Sequence, residues 1–283
     1  MTNNDKTLII DTPYLCHRAK WSTGDLSHDG EATGTIYGVL RDIEILKRIH
    51  DPDVMVFCFD SKHSKRKKLY SGYKANRKHP ERTKAEWAFE DAFRRQIKLL
   101  RTRYLRMMGY NNIAFQKGYE ADDHIAATLN ALPRHKNAVI VTADHDMYQC
   151  LRQGVTIYNP QKKDNQYYTT KSFKDEFGVA PSRWPFIKAV AGCSSDCIPG
   201  VPGVGEKTVI KYLKGEIRRG TKTFYKIHSF VKGRQRKSEP MWRNLKLVTL
   251  PFPGTALSRI HPDRPHERGQ RLVYRELGIR SIP

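Results

Sequence analysis

The chain has 283 residues, with 51 Lys+Arg against 29 Asp+Glu, for a formal net charge of +22. That length buries a core without disulfide or metal staples. A hydrophobic content of 39% is too high for a wholly disordered basic tail and too low for a membrane protein. No apolar run approaches the ~20 residues of a spanning helix. The first six residues lack the basic-then-apolar layout of a signal peptide. Five cysteines with no CxxC point to reduced thiols, so a cytoplasmic setting is the expectation.

So much positive charge calls for a polyanion, with nucleic acid the first partner to consider and a membrane surface the weaker one. The bland alternative is a solvated basic surface that only aids solubility. The charge is unevenly spread. Residues 61–106 carry net +12 and residues 206–283 net +13, whereas residues 1–60 are net −4 and residues 107–205 only +1. A protein that merely grips nucleic acid has no use for a separate acidic region, whereas one that cuts phosphodiesters needs carboxylates to hold metal ions beside the phosphate.

In chain order, Thr7-Leu8-Ile9-Ile10 is a short apolar run ending in Asp11, and 34–50 reads as helix. Val54 to Phe59 is a second run, ending in Asp60. Residues 61–83 are too polar for core and interleave lysines and arginines with tyrosines, a composition suited to single-stranded nucleic acid; a surface loop is the plain alternative. A helical pattern follows over 84–108, stopped by Gly109. A helix over 121–132 opens with acids, and Ala138 to Thr142 is a third apolar run, followed by Asp144 and Asp146. Continuous runs alternating with helices predict an α/β fold with a mostly parallel central sheet. Ligands bind outside the carboxyl ends of such strands. A single acid there is more often a turn or cap residue, but three runs share the placement.

Farther on, 186–192 reads as helix, and Ile198 to Thr208 is rich in glycine and proline. It resembles a phosphate loop, but Glu206 separates Gly205 from Lys207 and a helix rather than a strand precedes it, so an ATPase is rejected. A tight hairpin between two helices is the better reading. There Gly200, Gly203 and Gly205 would let backbone approach DNA phosphates, with Lys207 and Lys211 adding charge; a purely structural turn is the alternative. Beyond residue 215 the chain is basic, with one helix expected near 240–250 and little else legible. The predicted division is an α/β core over 1–184 and a helical region over 185–283, with no linker between them.

Eight carboxylates carry the candidate chemistry: Asp11, Asp60, Glu120, Asp122, Asp123, Asp144, Asp146 and Asp196. Acids at the start of a helix are favoured by its dipole, so the group at 120–123 has a structural reading too. Spacing i, i+3 aims Glu120 and Asp123 along one face. So many like charges raise one another's pKa unless cations neutralise them. Hard oxygen donors suit Mg²⁺ or Mn²⁺, and two such ions about 3.5–4 Å apart suit phosphodiester hydrolysis.

Six ordered motifs carry a resemblance: Leu8-Ile9-Ile10-Asp11-Thr12; Phe59-Asp60-Ser61-Lys62 with Ser64-Lys65-Arg66; Gly72-Tyr73-Lys74-Ala75-Asn76-Arg77; Glu120-Ala121-Asp122-Asp123; Val141 through Gln149; and Ile198 through Thr208. Over about residues 7–214 the chain resembles 5′ nucleases of the flap endonuclease/5′–3′ exonuclease family, including the nuclease domain of bacterial DNA polymerase I. The resemblance implies a helical arch over the active site at about 61–106 and a helix-hairpin-helix at about 186–214 that grips duplex DNA and holds K⁺. It implies a first metal group of Asp11, Asp60, Glu120, Asp122 and Asp123, and a second of Asp144, Asp146 and Asp196. Lys74, Arg66 and Arg77 match basic residues near the scissile phosphate. Lys68, Tyr14 and Tyr73 are expected DNA contacts, the tyrosines by stacking. The implied substrate is DNA with a free 5′ end, a flap or a branch, RNA primers on DNA being a further case, handled by a monomer. A non-catalytic branched-DNA-binding relative and an RNase H-like nuclease are the alternatives.

One departure stands out. The family pattern Gly-Asp-x-x-Asp-Asn appears here as Gly192-Cys193-Ser194-Ser195-Asp196-Cys197. The second metal group thereby loses a hard oxygen ligand, which weakens the site for Mg²⁺ or, if Cys193 and Cys197 both bind, turns it toward a softer metal such as Zn²⁺; the plain alternative is that the remaining acids suffice.

Overall fold

The computed structural model describes residues 6–77, 81–164, 166–232, 239–257, 259–280 and 282. Parts of the basic segment (78–80) and of the basic tail (233–238) fall outside these. The first apolar run is β1 (Lys6–Asp11), which feeds α1 (Thr12–Thr23); a small hairpin of β2 (Ser27–His28) and β3 (Glu31–Ala32) leads to α2 (Gly34–His50) and β4 (Val54–Cys58). The basic segment folds as α3 (Arg66–Leu69), a 3-10 turn (Ala75–Arg77) and α4 (Lys84–Leu99). Then come α5 (Leu105–Met107), β5 (Asn112–Ala114), α6 (Ala121–Ala131), β6 (Asn137–Val141), β7 (Val155–Tyr158), β8 (Tyr167–Tyr168) and α7 (Thr170–Phe177). The last part contains α8 (Trp184–Ala191), β9 (Gly192–Cys193), β10 (Ile198–Pro199), α9 (Glu206–Leu213), α10 (Lys222–Lys232), α11 (Pro240–Val248) and α12 (Glu267–Glu276).

Six strands form one sheet in the order β5-β4-β1-β6-β7-β8, parallel except for β8. Side chains alternate across it. Leu8, Ile10, Met55, Phe57 and Val141 pack on one face against α1, α2, α4 and α12, while Ile9, Val56 and Ile140 join a second cluster with residues of α6 and α8 to α11. Burial on both faces explains why these strands read as unbroken apolar runs. The expected boundary at 184/185 falls inside the second cluster, which holds Ile9 and Val248 alike.

The helix expected over 84–108 is interrupted by a π-helical turn at Leu100–Tyr104, and Gly109 ends it with φ +91 where a Cβ would meet the Arg264 carbonyl oxygen. The C-terminal segment, nearly mute in the sequence, returns to the sheet edge. Asp263 accepts hydrogen bonds from the Met55 and Asn111 backbone N–H groups, both at 2.8 Å, and Arg264 N donates to the Gly109 carbonyl at 2.9 Å. Among the described residues, no helix is long and apolar enough to cross a membrane.

Candidate active site

The chain leaves β1 for β4 on one side and later returns to β6 on the other, so the sheet reverses its winding beside β1, and the acids gather at the carboxyl ends of these three neighbouring strands. Asp11 ends β1, where it also caps α1 by accepting from Tyr14 N at 3.1 Å; Pro13 follows in the first turn, where a missing N–H costs nothing. Thr142 Oγ1 donates to its other oxygen at 2.8 Å. Asp60 follows β4 and accepts from Ala121 N at 2.7 Å, tying it to the start of α6. Asp144 follows β6 and accepts from Asp146 N at 2.7 Å. The capping role that sequence offered as the plain reading is therefore present at Asp11 and Asp144, and the same two carboxylates still face the acidic cluster.

Electrostatics define that cluster. Burial, then the charges of Asp60 and Asp144, raise Asp11 to about 7, against the hydrogen bond from Thr142. Burial and the charges of Asp144, Asp11 and Asp60 push Asp122 well above the ordinary carboxylate range. Asp60, although open at the rim, is raised first by desolvation. Asp146 is raised by burial and Asp144, and Asp196 by burial, against Lys74 and Arg77. Glu120 is the opposite case: burial would raise it, but Lys74 and Arg66 outweigh burial and hold it at about 2. Hard oxygens crowded with like charge and short of neutralising cations form a donor set that fits divalent metal ions.

Three sequence expectations change at this point. Asp123 is fully buried, and its oxygens are occupied: Arg66 Nη1 and Nη2 donate at 2.7 Å each, Glu120 N at 3.0 Å and Phe252 N at 2.8 Å. It is a structural anchor with no oxygen left for a metal. Arg66, 2% exposed, is committed to that pair and to the Leu247 carbonyl, so it is not free to reach a phosphate. Tyr73 is 2% exposed and donates to Glu120 Oε2 at 2.9 Å, so it orients a carboxylate and offers no face for stacking. Tyr14 is half-buried, with its hydroxyl 3.4 Å from Asn159 Oδ1.

Lys74 joins the acid groups: its Nζ lies 2.8 Å from Glu120 Oε2 and 3.8 Å from Asp196 Oδ1. Its backbone has φ +52, a strained value for a side-chain-bearing residue, and its N–H is held by the Asp196 carbonyl at 2.9 Å. Arg77 is exposed, with Nη2 3.4 Å from Asp196 Oδ1. Lys188, which sequence reading passed over as part of a helix, places Nζ 3.2 Å from Asp146 Oδ1 and 3.4 Å from Glu206 Oε1. No local signal could have found it, since Asp146 and Glu206 both lie far from it in the chain.

Helix α8, the β9–β10 hairpin, a turn and α9 occupy 184–213. Gly200 is needed for packing: a Cβ would sit 2.2 Å from the Ala191 carbonyl carbon. Gly203, with φ +76, and Gly205 have open space beside them, and Lys207, Lys211 and Lys68 are exposed. Gly203 and Gly205 thus remain free to meet a ligand, whereas Gly200 faces inward.

Residues 6–178 match the family model for the 5′-3′ exonuclease N-terminal resolvase-like domain. The chain belongs to the 5′–3′ exonuclease family. Within it, the chain is 33% identical over 220 residues to a 5′-3′ exonuclease of Bacillus subtilis, covering 75% of this chain and 71% of that one. It is 31% identical over 251 residues to the Aquifex aeolicus 5′-3′ exonuclease, covering 86% and 82%. It is also 32% identical over 211 residues to thermostable DNA polymerase I of Thermus filiformis, but spans only 23% of that protein's length. Among solved structures, the metal-bound T5 5′-exonuclease shares the fold with TM-score 0.70 at 20% identity, covering 87% of this chain and 90% of that one. Human GEN1 in complex with Holliday junction DNA shares it with TM-score 0.59 at 17% identity, covering 96% and 68%. This 5′–3′ exonuclease family member is a hydrolytic nuclease, as its ordered motifs led one to expect.

Proposed function

We propose that the chain is a divalent-metal-dependent, structure-specific nuclease that hydrolyses phosphodiesters at the 5′ ends of DNA, as exonuclease, flap endonuclease or both. The observation that carries this reading is the cluster that Asp11, Asp60 and Asp144 form at the carboxyl ends of β1, β4 and β6 beside Asp122 of α6, in which burial and neighbouring acids raise Asp11 and Asp122, with Lys74 and Arg77 close by. Asp11, Asp60, Asp122 and Asp144 would hold Mg²⁺ or Mn²⁺, and Asp146 and Asp196 a second ion. When bound, such ions would supply Lewis-acid polarisation of the phosphodiester and would lower the pKa of a water.

The chain's own groups do the rest. Lys74 stabilises charge developing on the phosphate, and Glu120 keeps that ammonium aimed at the cluster from 2.8 Å. Tyr73 and the Arg66–Asp123 pair hold Glu120 and the start of α6 in place. Arg77 and the exposed lysines of the 61–106 block attract the single-stranded 5′ end, consistent with an arch. The turn at 200–205 and the start of α9, with Lys207 and Lys211, offer N–H groups and charge to duplex phosphates, as in a helix-hairpin-helix. Asp11, Asp60, Asp122, Asp144, Asp146 and Asp196 remain as donors, which argues against a relative that only binds branched DNA, whereas Glu120, expected among the metal ligands, is instead held by Lys74 and Tyr73.

A 5′-labelled flap duplex and a 5′-recessed duplex, incubated in EDTA, Mg²⁺ and Mn²⁺, test the proposal. Short 5′ products appear only with metal, and Lys74→Ala slows cleavage by about 10²–10³ while DNA binding persists. Tight binding without product in any metal would refute hydrolysis.

A further inference from the structure

Asp146, Cys193 and Asp196 each offer a donor atom, and the three atoms lie within 4.8 Å of one another. The residues come from separate places: the turn after β6, strand β9, and the loop between β9 and β10. Cys193 is buried, its place fixed by the β9 register opposite Ile198, and Ser195 Oγ lies 3.1 Å from its sulfur. Cys197 gives no donor to this group; its backbone has φ +56, a conformation that favours Gly or Asn. The set is therefore two carboxylates and one thiol, complete without a second cysteine or a histidine. Three cations already rest there, but Lys188 contacts Glu206 at 3.4 Å as well as Asp146, Lys74 lies closer to Glu120 (2.8 Å) than to Asp196 (3.8 Å), and Arg77 is exposed at 3.4 Å from Asp196, so each has another acceptor or solvent when a divalent ion takes the carboxylates.

Mg²⁺ demands an octahedral shell of hard oxygens, whereas a thiolate with two carboxylates and one open position is a coordination set of Zn²⁺ type. We propose that this second site is selective for a thiophilic divalent ion of the Zn²⁺ class, with Cys193 as the selecting ligand and Asp146 and Asp196 completing it. The proposal rests on the metal-dependent nuclease reading for its place in the mechanism, but not for its test.

The full-length chain is titrated with Cd²⁺, read by the sulfur-to-metal charge-transfer absorption, and with Zn²⁺ and Mg²⁺ by calorimetry. The wild type shows the band at one equivalent, Cys193→Ser loses it, and Cys197→Ser keeps it. Cys193→Asp weakens Zn²⁺ by about 10–100-fold, at least the cost of losing a lesser, outer-shell partner, and tightens Mg²⁺. Thermal melting of each variant verifies that it is folded. A band that survives in Cys193→Ser, or vanishes equally in Cys197→Ser, overturns the proposal. So does unchanged Zn²⁺ and Mg²⁺ affinity in Cys193→Asp. The two readings fail separately: Mg²⁺-supported cleavage with no band sinks this inference alone, and a band with no cleavage in any metal sinks the nuclease reading alone.

Discussion

Replacing Asp123 by Asn leaves the shape of the side chain and removes one buried charge. Four donors converge on this carboxylate, two of them from a guanidinium that is 2% exposed. Breaking a buried pair by removing one partner costs about 3–5 kcal/mol, because the other charge stays buried. Glu120 Oε2 lies 3.7 Å from Arg66 Nη1 and offsets part of that, so about 3 kcal/mol is expected. At roughly 2–4 °C per kcal/mol for a chain of this size, melting falls by about 10 °C. Asp122→Asn acts in the opposite direction. Its carboxyl is pushed well up by burial and three neighbouring acids, so the neutral amide raises melting in EDTA and abolishes the stabilisation that Mg²⁺ or Mn²⁺ gives the wild type. Thermal melts of both variants with and without metal read the contrast. Arg66→Met with Asp123→Leu recovers part of the loss, since no lone charge remains. If Asp123→Asn melts like wild type in EDTA yet loses the metal-induced stabilisation, the anchor assignment is wrong.

Without metal, Asp11 titrates between its ordinary value of 3.8 and about 7, so the folded state binds more protons than the unfolded in that window. Apo stability therefore falls as pH rises from about 4 to 7, and metal affinity rises over the same range; a flat melting temperature in EDTA between pH 5 and 8 would contradict this. Tyr73→Phe keeps the ring but loses the hydroxyl on Glu120, at a cost of about 1 kcal/mol. It lowers kcat with little change in KM for DNA, whereas a stacking role would leave both intact. Gly200→Ala drives a Cβ into the Ala191 backbone and destabilises by about 1–3 kcal/mol or more, through overpacking that must move α8 against β10. Gly203→Ala meets open space and costs only the ~1–2 kcal/mol of its left-handed backbone, so denaturant midpoints rank the two variants.

Local pattern determined the sheet. Apolar runs buried on both faces announced β1, β4 and β6, and the acids at their ends followed because strand direction in a parallel sheet fixes which end faces the ligand. Helix α2 and the start of α6 were legible from spacing, and the stop at Gly109 from the need for φ +91. The two-residue strands, β5 and β7 carried too few residues to declare a period. Tertiary structure decided what each acid does. Asp122 and Asp123 are adjacent and chemically identical, but neighbours on a helix point in different directions, and only Asp123 meets Arg66, 57 residues away in sequence. Cys193 and Cys197 stand where the family pattern has Asp and Asn, and the β9–β10 hairpin sets the first among the carboxylates of Asp146 and Asp196 and gives the second a left-handed turn. The C-terminal segment was unreadable for the same reason: the partners of Asp263 on β4 and beside β5 lie more than a hundred residues away, and sequence pattern reports only on neighbours.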